Sequence, residues 1–351
     1  MRLGVCHKDG FVVCKRWEDG IMLSVPAHRL PLSDAHLVWD PAGPYALRSS
    51  LGILQRGPRD PTTTVGDTHA WLCFVARTGP VTVRISRSDR FNSPVLLEAW
   101  GPGAQSAVDH GLELLGATDR WDEFDAPEFR ESLPTVVAQT RRAHPGLRFP
   151  TTGRMFDALL PAILEQKVTV IEANFAYRYL TLLLGETPPG PAPAGMRLPP
   201  SPEAIRSLQP WQWHQARVDA KRAATAVRAA VLAQSLERWS GVPLGARRAD
   251  VRGDGSLEAA LGSIPGIGPW SIAEVLQRTH GSPDHISVGD YHLAAFVGQV
   301  LTGRRINDEA MLELLAPYTG HRQRVVRLLA ASGVRKQAFG PRLAPMDHRR
   351  R

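Results

Sequence analysis

The sequence predicts an α+β protein, in which an antiparallel sheet with a packed helix is followed by a longer, mainly α-helical part. Two patterns support this prediction. Short apolar segments bounded by turn residues occur in the first third of the chain, whereas apolar residues after Pro150 recur at the spacing of one helix face. We therefore expect an α+β domain over residues 41–118, a helical domain over 119–335 and a basic tail over 336–351.

The predicted sheet contains a hairpin. The segment Trp71–Val75 is apolar, and Val81–Ile85 alternates apolar and polar residues with the period of a strand. Thr78–Pro80 supplies the turn residues between them. In Ala104–Leu115 the apolar residues return at helical spacing, so we expect one helix that packs Leu112 and its apolar neighbours on the sheet.

The first 40 residues allow two interpretations. Phe11–Cys14 and Ile21–Val25 are short strand candidates, but the same stretch could equally be an extension. It lacks the apolar run of a secretory signal peptide. The cysteines Cys6, Cys14 and Cys73 make neither a disulfide framework nor a metal site, and we expect a reduced, cytoplasmic location.

The charge balance favours a polyanionic partner. The chain has 42 Lys and Arg against 34 Asp and Glu, a formal net charge of +8 and an isoelectric point near 9.8. Such a chain attracts nucleic acid by neutralising phosphates. A soluble protein from an arginine-rich proteome would show the same balance, so charge alone does not decide. The sequence has no apolar stretch of about 18 residues or more, which excludes a predicted membrane-spanning helix.

Prolines and capping residues mark the helices. Pro127, Pro134 and Pro145 keep the helices before residue 150 short. Thr169 and Glu172 have the spacing of a capping box and predict the start of a long helix. The Pro/Gly-rich stretch 187–200 predicts a surface loop within the helical part.

The helical part is organised around residues 256–279, which predict a short helix, a tight hairpin and a second helix. Gly266 and Gly268 permit backbone angles and close approaches that other residues do not. Pro269 suits the first turn of the second helix. Free amides at a helix N-terminus form a seat for a phosphate. Further along the chain an isolated acidic residue, Asp290, precedes another apolar helix.

Ile264–Trp270, followed by Val288–Tyr291, resembles the helix-hairpin-helix DNA glycosylase superfamily, and within it the DNA-3-methyladenine glycosylase II family. The resemblance is specific from about Arg154 to Leu329 and weaker before it. It implies a monomeric, nucleoid-associated enzyme of base excision repair. Such an enzyme binds double-stranded DNA, flips out a damaged base and hydrolyses its bond to deoxyribose, with alkylated purines of the 3-methyladenine type as substrates.

The resemblance assigns catalysis to Asp290. Departure of the base leaves oxocarbenium-like positive charge on the sugar, which a fixed carboxylate stabilises. Capping of the next helix is the alternative role for this residue. Related bifunctional enzymes carry a Schiff-base lysine near the position of Trp270, so we expect no lyase activity. Because no cysteine follows Cys73, no iron–sulfur cluster is expected, and no catalytic metal is expected either.

The remaining site residues follow from the same resemblance. Trp270 and Tyr291 are expected to line the base pocket, with core packing as the alternative for both. Arg327 lies nearest to the position where some relatives carry a further pocket aromatic.

DNA contacts are expected at two turns and one helix start. Gly266, Ile267 and Gly268 would offer amides to a phosphate, and a monovalent cation could bridge them. Lys167 occupies the place of the side chain that fills the gap left by the flipped base, and Gln166 lies beside it; a solvated turn between two helices is the alternative for both. Arg322 would touch the DNA backbone.

Other functions fit parts of the same sequence. The enzyme could act on deaminated or oxidised bases, since the sequence does not place the pocket residues. A catalytically silent DNA-binding protein would keep the hairpin, but would gain nothing from an anion near phosphates. A general protein-interaction domain would leave both the glycines and Asp290 unexplained.

Overall fold

A five-stranded antiparallel sheet begins at Ala35 in the computed structural model, which describes residues 30–88, 93–251 and 253–334. Its strands lie in the order β1-β5-β4-β3-β2. Their bounds are Ala35–Trp39 (β1), Thr63–Val65 (β2), His69–Ala76 (β3), Gly79–Arg87 (β4) and Val95–Trp100 (β5). The predicted strands at Phe11–Cys14 and Ile21–Val25, and the basic tail from residue 336, lie outside the described residues.

The predicted hairpin is confirmed, and the strand before it was not expected. β3 and β4 pair with Leu72 opposite Val83, and both side chains are buried in the sheet core. β1 lies in the segment that the sequence left open, and it pairs with β5 so that Leu37 faces Leu97. Alternate residues of β1 are exposed, as expected for a strand at the edge of a sheet.

The single helix predicted at Ala104–Leu115 is two short helices, Ala104–Asp109 (α2) and Gly111–Leu114 (α3). The chain breaks where Gly111 presses against the sheet, because a Cβ there would lie 2.8 Å from the Leu37 side chain. As a result Leu114 is buried, and Leu112 is 40 % exposed instead of packed.

The Pro/Gly-rich stretch 187–200 covers the second face of the sheet. The hydroxyl of Thr82 donates to the carbonyl of Pro189 across 2.5 Å, and the amide of Arg197 donates to Pro61 O across 2.8 Å. Gly190 lies directly on Trp100, where a Cβ would meet the indole at 2.4–2.7 Å. The loop therefore ties the helical part to the sheet.

The helical elements outside the sheet region follow the predicted caps. Thr169 and Glu172 form the capping box, and Ser201, Asp219, Ser256 and Asn307 each cap a helix with the side chain. The helices are Leu47–Leu51 (α1), Asp122–Asp125 (α4), Pro127–Ser132 (α5), Thr135–Ala143 (α6), Met155–Leu164 (α7), Val170–Leu184 (α8), Pro202–Ser207 (α9), Pro210–Gln215 (α10), Ala220–Glu237 (α11), Leu257–Gly262 (α12), Pro269–Thr279 (α13), Leu293–Thr302 (α14), Asp308–Leu315 (α15) and Arg322–Ala331 (α16).

These helices build two separate apolar cores. One contains α7 to α13, with Leu159 and Leu276 fully buried. The other joins α4, α5 and α6 to α14, α15 and α16, with Val297 fully buried. Consequently α13 and α14, which flank Asp290, belong to different cores. No helix in the described ranges is long and apolar enough to span a membrane.

The packing of the 187–200 loop on the sheet gives a stability prediction. Gly101 has φ +108°, and a Cβ there would lie 2.3 Å from Pro189 Cγ and 2.7 Å from Pro80 O. Gly195 also has positive φ, at +86°, but a Cβ there meets nothing within 4 Å. We expect Gly195→Ala to cost about 1 kcal/mol of backbone strain, and Gly101→Ala to cost about 2 kcal/mol more.

The measurement is the free energy of unfolding from urea titrations of both variants. Equal losses for the two alanines would show that the loop does not press on the sheet.

Candidate functional site

The hairpin between α12 and α13 is held in place by α11. Gly266 has φ +99°, and a Cβ there would lie 2.4 Å from the hydroxyl oxygen of Thr225. Glycine is therefore required at this position by both backbone and space. Gly268 is different, since its backbone is extended (φ −115°) and a Cβ would meet nothing within 4 Å. Its open side is where another molecule can approach the start of α13.

Two of the three predicted amides are available at the hairpin. Among the described residues, the N–H groups of Gly266 and Gly268 have no hydrogen-bond partner. The third amide is engaged within the protein, because the N–H of Ile267 donates to Ile264 O across 2.9 Å and closes the turn. The side chain of Ile267 is buried in the core and anchors the hairpin.

The turn between α7 and α8 lies beside the hairpin. The side-chain amide of Gln166 donates to Gly266 O and to the hydroxyl of Ser271, both across 2.9 Å. Gln166 thus fastens the two turns together. The next residue, Lys167, is exposed and has φ +55°, a left-handed conformation that is costly for a side chain other than glycine. Strain of this kind, held by neighbouring hydrogen bonds, presents Lys167 at the tip of the turn.

Asp290 combines the two roles that the sequence left as alternatives. Its Oδ1 accepts from the amides of His292 and Leu293 across 2.8 and 2.9 Å, so it caps the start of α14. Its Oδ2 has no partner within the described part of the chain. One oxygen therefore fixes the carboxylate, and the other is free to face a ligand.

The loop that carries Asp290 is clamped by polar residues of α13 that the sequence reasoning missed. The amide of Gln277 donates to His285 O and to the Ser287 hydroxyl, across 2.9 and 3.2 Å. That hydroxyl donates to Glu274 across 2.6 Å, and the amide of Asp290 donates to Ser287 O across 3.1 Å. The detectable signal was the polar run Glu274, Gln277 and Arg278 on the inner face of an otherwise apolar helix.

Behind this clamp lies a group of buried charges that we name the charged cluster: Arg56, Glu165, Glu274, Arg278 and Arg327. Arg56 pairs with Glu165 and Arg278 pairs with Glu274, each with an N–O distance of 2.7 Å. Arg278 also donates to Ile53 O across 3.0 Å, and Arg327 donates to Ser49 O across 2.8 Å. The cluster therefore connects α13 and α16 to the segment that precedes the sheet hairpin.

The members of the charged cluster influence one another. Burial disfavours the charged form of Glu274, but Arg278 and Arg56 outweigh it and lower the pKa of its carboxyl. Burial lowers the pKa of Arg278, and the neighbouring Arg56 lowers it further. Burial lowers the pKa of Arg327 to about 10, and Arg278 contributes in the same direction. The arginines thus repel one another, and the carboxyl of Glu274 stays ionised.

The two aromatic residues predicted for the pocket occupy different environments. Trp270 is half-buried and packs against the core of α7 to α13, one helical turn before Glu274. Tyr291 is 75 % exposed, and its ring meets that of His292 edge-on, with 4.8 Å between ring centroids. The packing of Trp270 thus partly fixes the face of its ring. The side chain of Tyr291 belongs neither to an apolar core nor to the wall of an enclosed pocket.

Arg322 is occupied within the protein. Its guanidinium forms a two-pronged pair with Asp284, whose Oδ1 also accepts the backbone amides of Gly320 and Arg322. This pair fixes the start of α16. In this structure Arg322 therefore stabilises the fold and has its charge compensated, which differs from the expected free contact to a DNA backbone.

Metal ligation has no support in the described ranges. They contain no group of three or more His, Cys, Asp or Glu side chains that could hold a metal ion. The free oxygen of Asp290, the hairpin amides and the charged cluster are polar groups of this site that could act on a ligand.

Comparison with known proteins identifies the fold. No protein-family model and no curated protein sequence matches the chain. Among solved structures, it is similar to a 3-methyladenine DNA glycosylase from Archaeoglobus fulgidus, with a TM-score of 0.64 and 16 % identity over 84 % of this chain and 97 % of that chain. It is also similar to an 8-oxoguanine glycosylase/lyase from Clostridium acetobutylicum, with a TM-score of 0.60 and 9 % identity over 87 % and 99 %. These similarities show that the chain shares its fold with these two solved DNA glycosylases.

Proposed function

We propose that this protein is a DNA glycosylase, which hydrolyses the bond between a flipped, damaged base and its deoxyribose. The observation that supports this most strongly is Asp290. One of its oxygens is fixed by two backbone amides, the other has no partner among the described residues, and the whole loop is clamped to the hairpin helix. A protein that only bound DNA would not benefit from a free carboxylate near phosphates.

DNA binding is supported by the surface around the hairpin. The free amides of Gly266 and Gly268 suit one phosphate of the backbone. Lys167 projects from the neighbouring turn in a strained conformation, suited to contact a strand or enter the gap left by the flipped base. The Clostridium enzyme with the same fold has been solved with double-stranded DNA containing cytosine opposite 8-oxoguanine.

The reaction follows from these positions. The C1′–N9 bond breaks, its electron pair leaves with the base, and positive charge develops on the sugar. The free oxygen of Asp290 stabilises that charge and orients a water molecule towards C1′. The water supplies hydroxyl to C1′. Its proton ends on the departed base when that base leaves as an anion, and passes to solvent when a cationic alkylated base leaves neutral. The products are the free base and an abasic site.

The second helix of the hairpin supports hydrolysis without strand cleavage. A lyase of this fold needs an amine nucleophile near the start of that helix. Here α13 contains no lysine. Trp270 stands at the position where the resemblance places the Schiff-base lysine of bifunctional enzymes. We therefore propose a monofunctional enzyme.

Trp270 is also the residue that supports alkylated purines as substrates. A cationic purine over an indole gains roughly 1–2 kcal/mol of cation–π attraction when desolvated. The same face stacks on any neutral purine, however, so Trp270 supports a purine pocket without selecting the lesion.

We expect Asp290→Asn to abolish base release while leaving DNA binding intact, because asparagine keeps the capping oxygen and loses the charge. The assay measures free bases released from duplexes that carry alkylated, deaminated or oxidised bases. Release should fall by about 100-fold or more. Asp122→Asn, at an exposed and distant aspartate, is the control and should retain full activity. Equal release by wild type and Asp290→Asn would remove Asp290 from its role.

The absence of an amine nucleophile gives a second test. Borohydride reduction during turnover should trap no covalent protein–DNA complex, and strands should break only after alkali treatment of the abasic product. A trapped complex would contradict the monofunctional assignment and would direct attention to lysines outside α13.

A substitution at Gly268 can test DNA binding without changing the stability of the fold, because the glycine is open on one side. A methyl group there meets no protein atom within 4 Å, so Gly268→Ala should unfold at the same urea concentration as the wild type. The same methyl group lies beside the free amides, and we expect affinity for duplex DNA to fall by about tenfold, as for one lost hydrogen bond to a charged group. Unchanged affinity would show that phosphate does not bind at this helix start.

A further inference from the structure

Two cationic residues occupy left-handed backbone positions in the turns that precede α8 and α11. Among the described residues, Lys167 (φ +55°) and Arg217 (φ +59°) are the only ones other than glycine with positive φ. Such an angle costs free energy for any residue with a side chain, and residues held in this way concentrate at ligand-binding sites. Lys167 is already placed at the DNA surface, so the position of Arg217 calls for an explanation as well.

The guanidinium of Arg217 is held in place without being paired. It lies over the ring of Phe175 in α8, 4.2 Å from the ring centroid. Phe175 stacks in turn on Tyr179, whose hydroxyl donates to Gln215 Oε1 across 2.6 Å. Within the described ranges no acceptor is bonded to the guanidinium of Arg217. Because stacking on a ring leaves the N–H donors of arginine available, this side chain presents a fixed positive charge with free donors.

The turn of Arg217 is fastened to the turn of Lys167 by the buried Arg222. Nη2 of Arg222 donates to Arg217 O across 3.2 Å, and its Nη1 donates to Leu164 O at the end of α7 across 2.7 Å. Its Nε pairs with Asp219 across 2.6 Å, which neutralises the acidic residue of the same turn. The two strained cations therefore belong to one hydrogen-bonded unit.

The same unit reaches the hairpin through α11. Thr225 lies against Gly266, and its hydroxyl donates across 3.0 Å to the carbonyl of Lys221, one helical turn closer to Arg217. The side chain of Lys221 is exposed. At a rise of about 1.5 Å per residue, α11 begins about 8 Å from Thr225. Phosphates follow one another about every 3.4 Å along the axis of each strand, so the hairpin amides and Arg217 can meet different phosphates of one duplex.

The choice of residue in this turn also favours phosphate as the ligand. A glycine would adopt the same backbone angle without strain, so the arginine is explained by what its side chain binds and not by the turn. The planar guanidinium can bind two phosphate oxygens at once, and its prior stacking on Phe175 reduces the freedom that is lost on binding.

We propose that Arg217, supported by Lys221, forms a second contact to the DNA backbone and binds a phosphate other than the one at the hairpin amides. This inference rests on the proposed glycosylase function and extends its DNA-binding surface. The turn of Lys167 is bonded to both contacts, through Gln166 to the hairpin and through Leu164 to Arg222. Two fixed phosphates hold the DNA in place while a nucleotide rotates out of the stack.

The test is the salt dependence of DNA binding. Each protein is titrated, at several salt concentrations, into a fluorescent duplex that carries an abasic-site analogue. Loss of one phosphate contact lowers the slope of log affinity against log salt concentration by about 0.9. We expect Arg217→Gln to lower the slope by about this amount and the affinity by about tenfold. Arg142→Gln, at an exposed arginine of α6, removes the same charge and should leave both values unchanged.

Equal slopes for the wild type and Arg217→Gln would overturn the inference. The duplex has no base to release at the analogue, so this result does not depend on glycosylase activity. A lowered slope in a protein that releases no base from any duplex would remove the proposed function and leave the contact standing.

A second variant separates the contact from the fold. Glycine adopts positive φ without strain, so Arg217→Gly should unfold at a urea concentration no lower than that of the wild type. Its affinity for the duplex should nevertheless fall as far as that of Arg217→Gln. Unfolding at a lower urea concentration with unchanged affinity would assign Arg217 to packing on Phe175 and contradict its role in DNA binding.

Discussion

The site depends on the polar inner face of α13. One side of this helix is apolar and belongs to the core of α7 to α13, whereas Glu274, Gln277 and Arg278 point towards the chain segments on the other side. Through these three residues the helix holds the Asp290 loop, the start of the sheet region and the neighbouring arginines at once. Asp290 lies in the loop between the two cores, and this polar seam, together with the His285–Glu258 pair, fixes that loop relative to the hairpin helices.

Joining two apolar cores through buried charges costs free energy. Ion pairs removed from water rarely stabilise a fold more than apolar residues of the same volume would. The charges therefore call for a reason other than stability. Their contacts offer one: Glu274 holds the loop that carries Asp290 through the Ser287 hydroxyl, and Arg278 and Arg327 hold the chain segment before the sheet hairpin.

The fold alone does not decide the substrate. The chain resembles a 3-methyladenine glycosylase at 16 % identity and an 8-oxoguanine glycosylase/lyase at 9 %, over nearly the full length of each. At such distances a shared fold places a helix, a hairpin and an acidic loop, and leaves the pocket free to diverge. In this protein arginines and glutamates meet beside the loop that carries Asp290, and Glu274 lies one helical turn from Trp270.

By itself the sequence determined the local elements and the hairpin. Capping boxes, prolines and the period of apolar residues act within a few residues of the chain, so Thr169, Ser256 and Pro269 could be assigned without a structure. The two glycines followed by Asp290 also form a turn and a helix start in the structure, because the turn requires Gly266 locally and Asp290 caps the next helix.

Tertiary structure decided everything that depends on contacts between distant segments. Gly111 breaks a helix because Leu37 lies beneath it, and Ile267 loses its free amide because the turn closes on Ile264. Arg56, Glu165 and the α13 pair Glu274–Arg278 are far apart in the chain, and each alone resembles a solvated surface charge. Only burial brings them together, and burial makes a charge costly to leave unpaired.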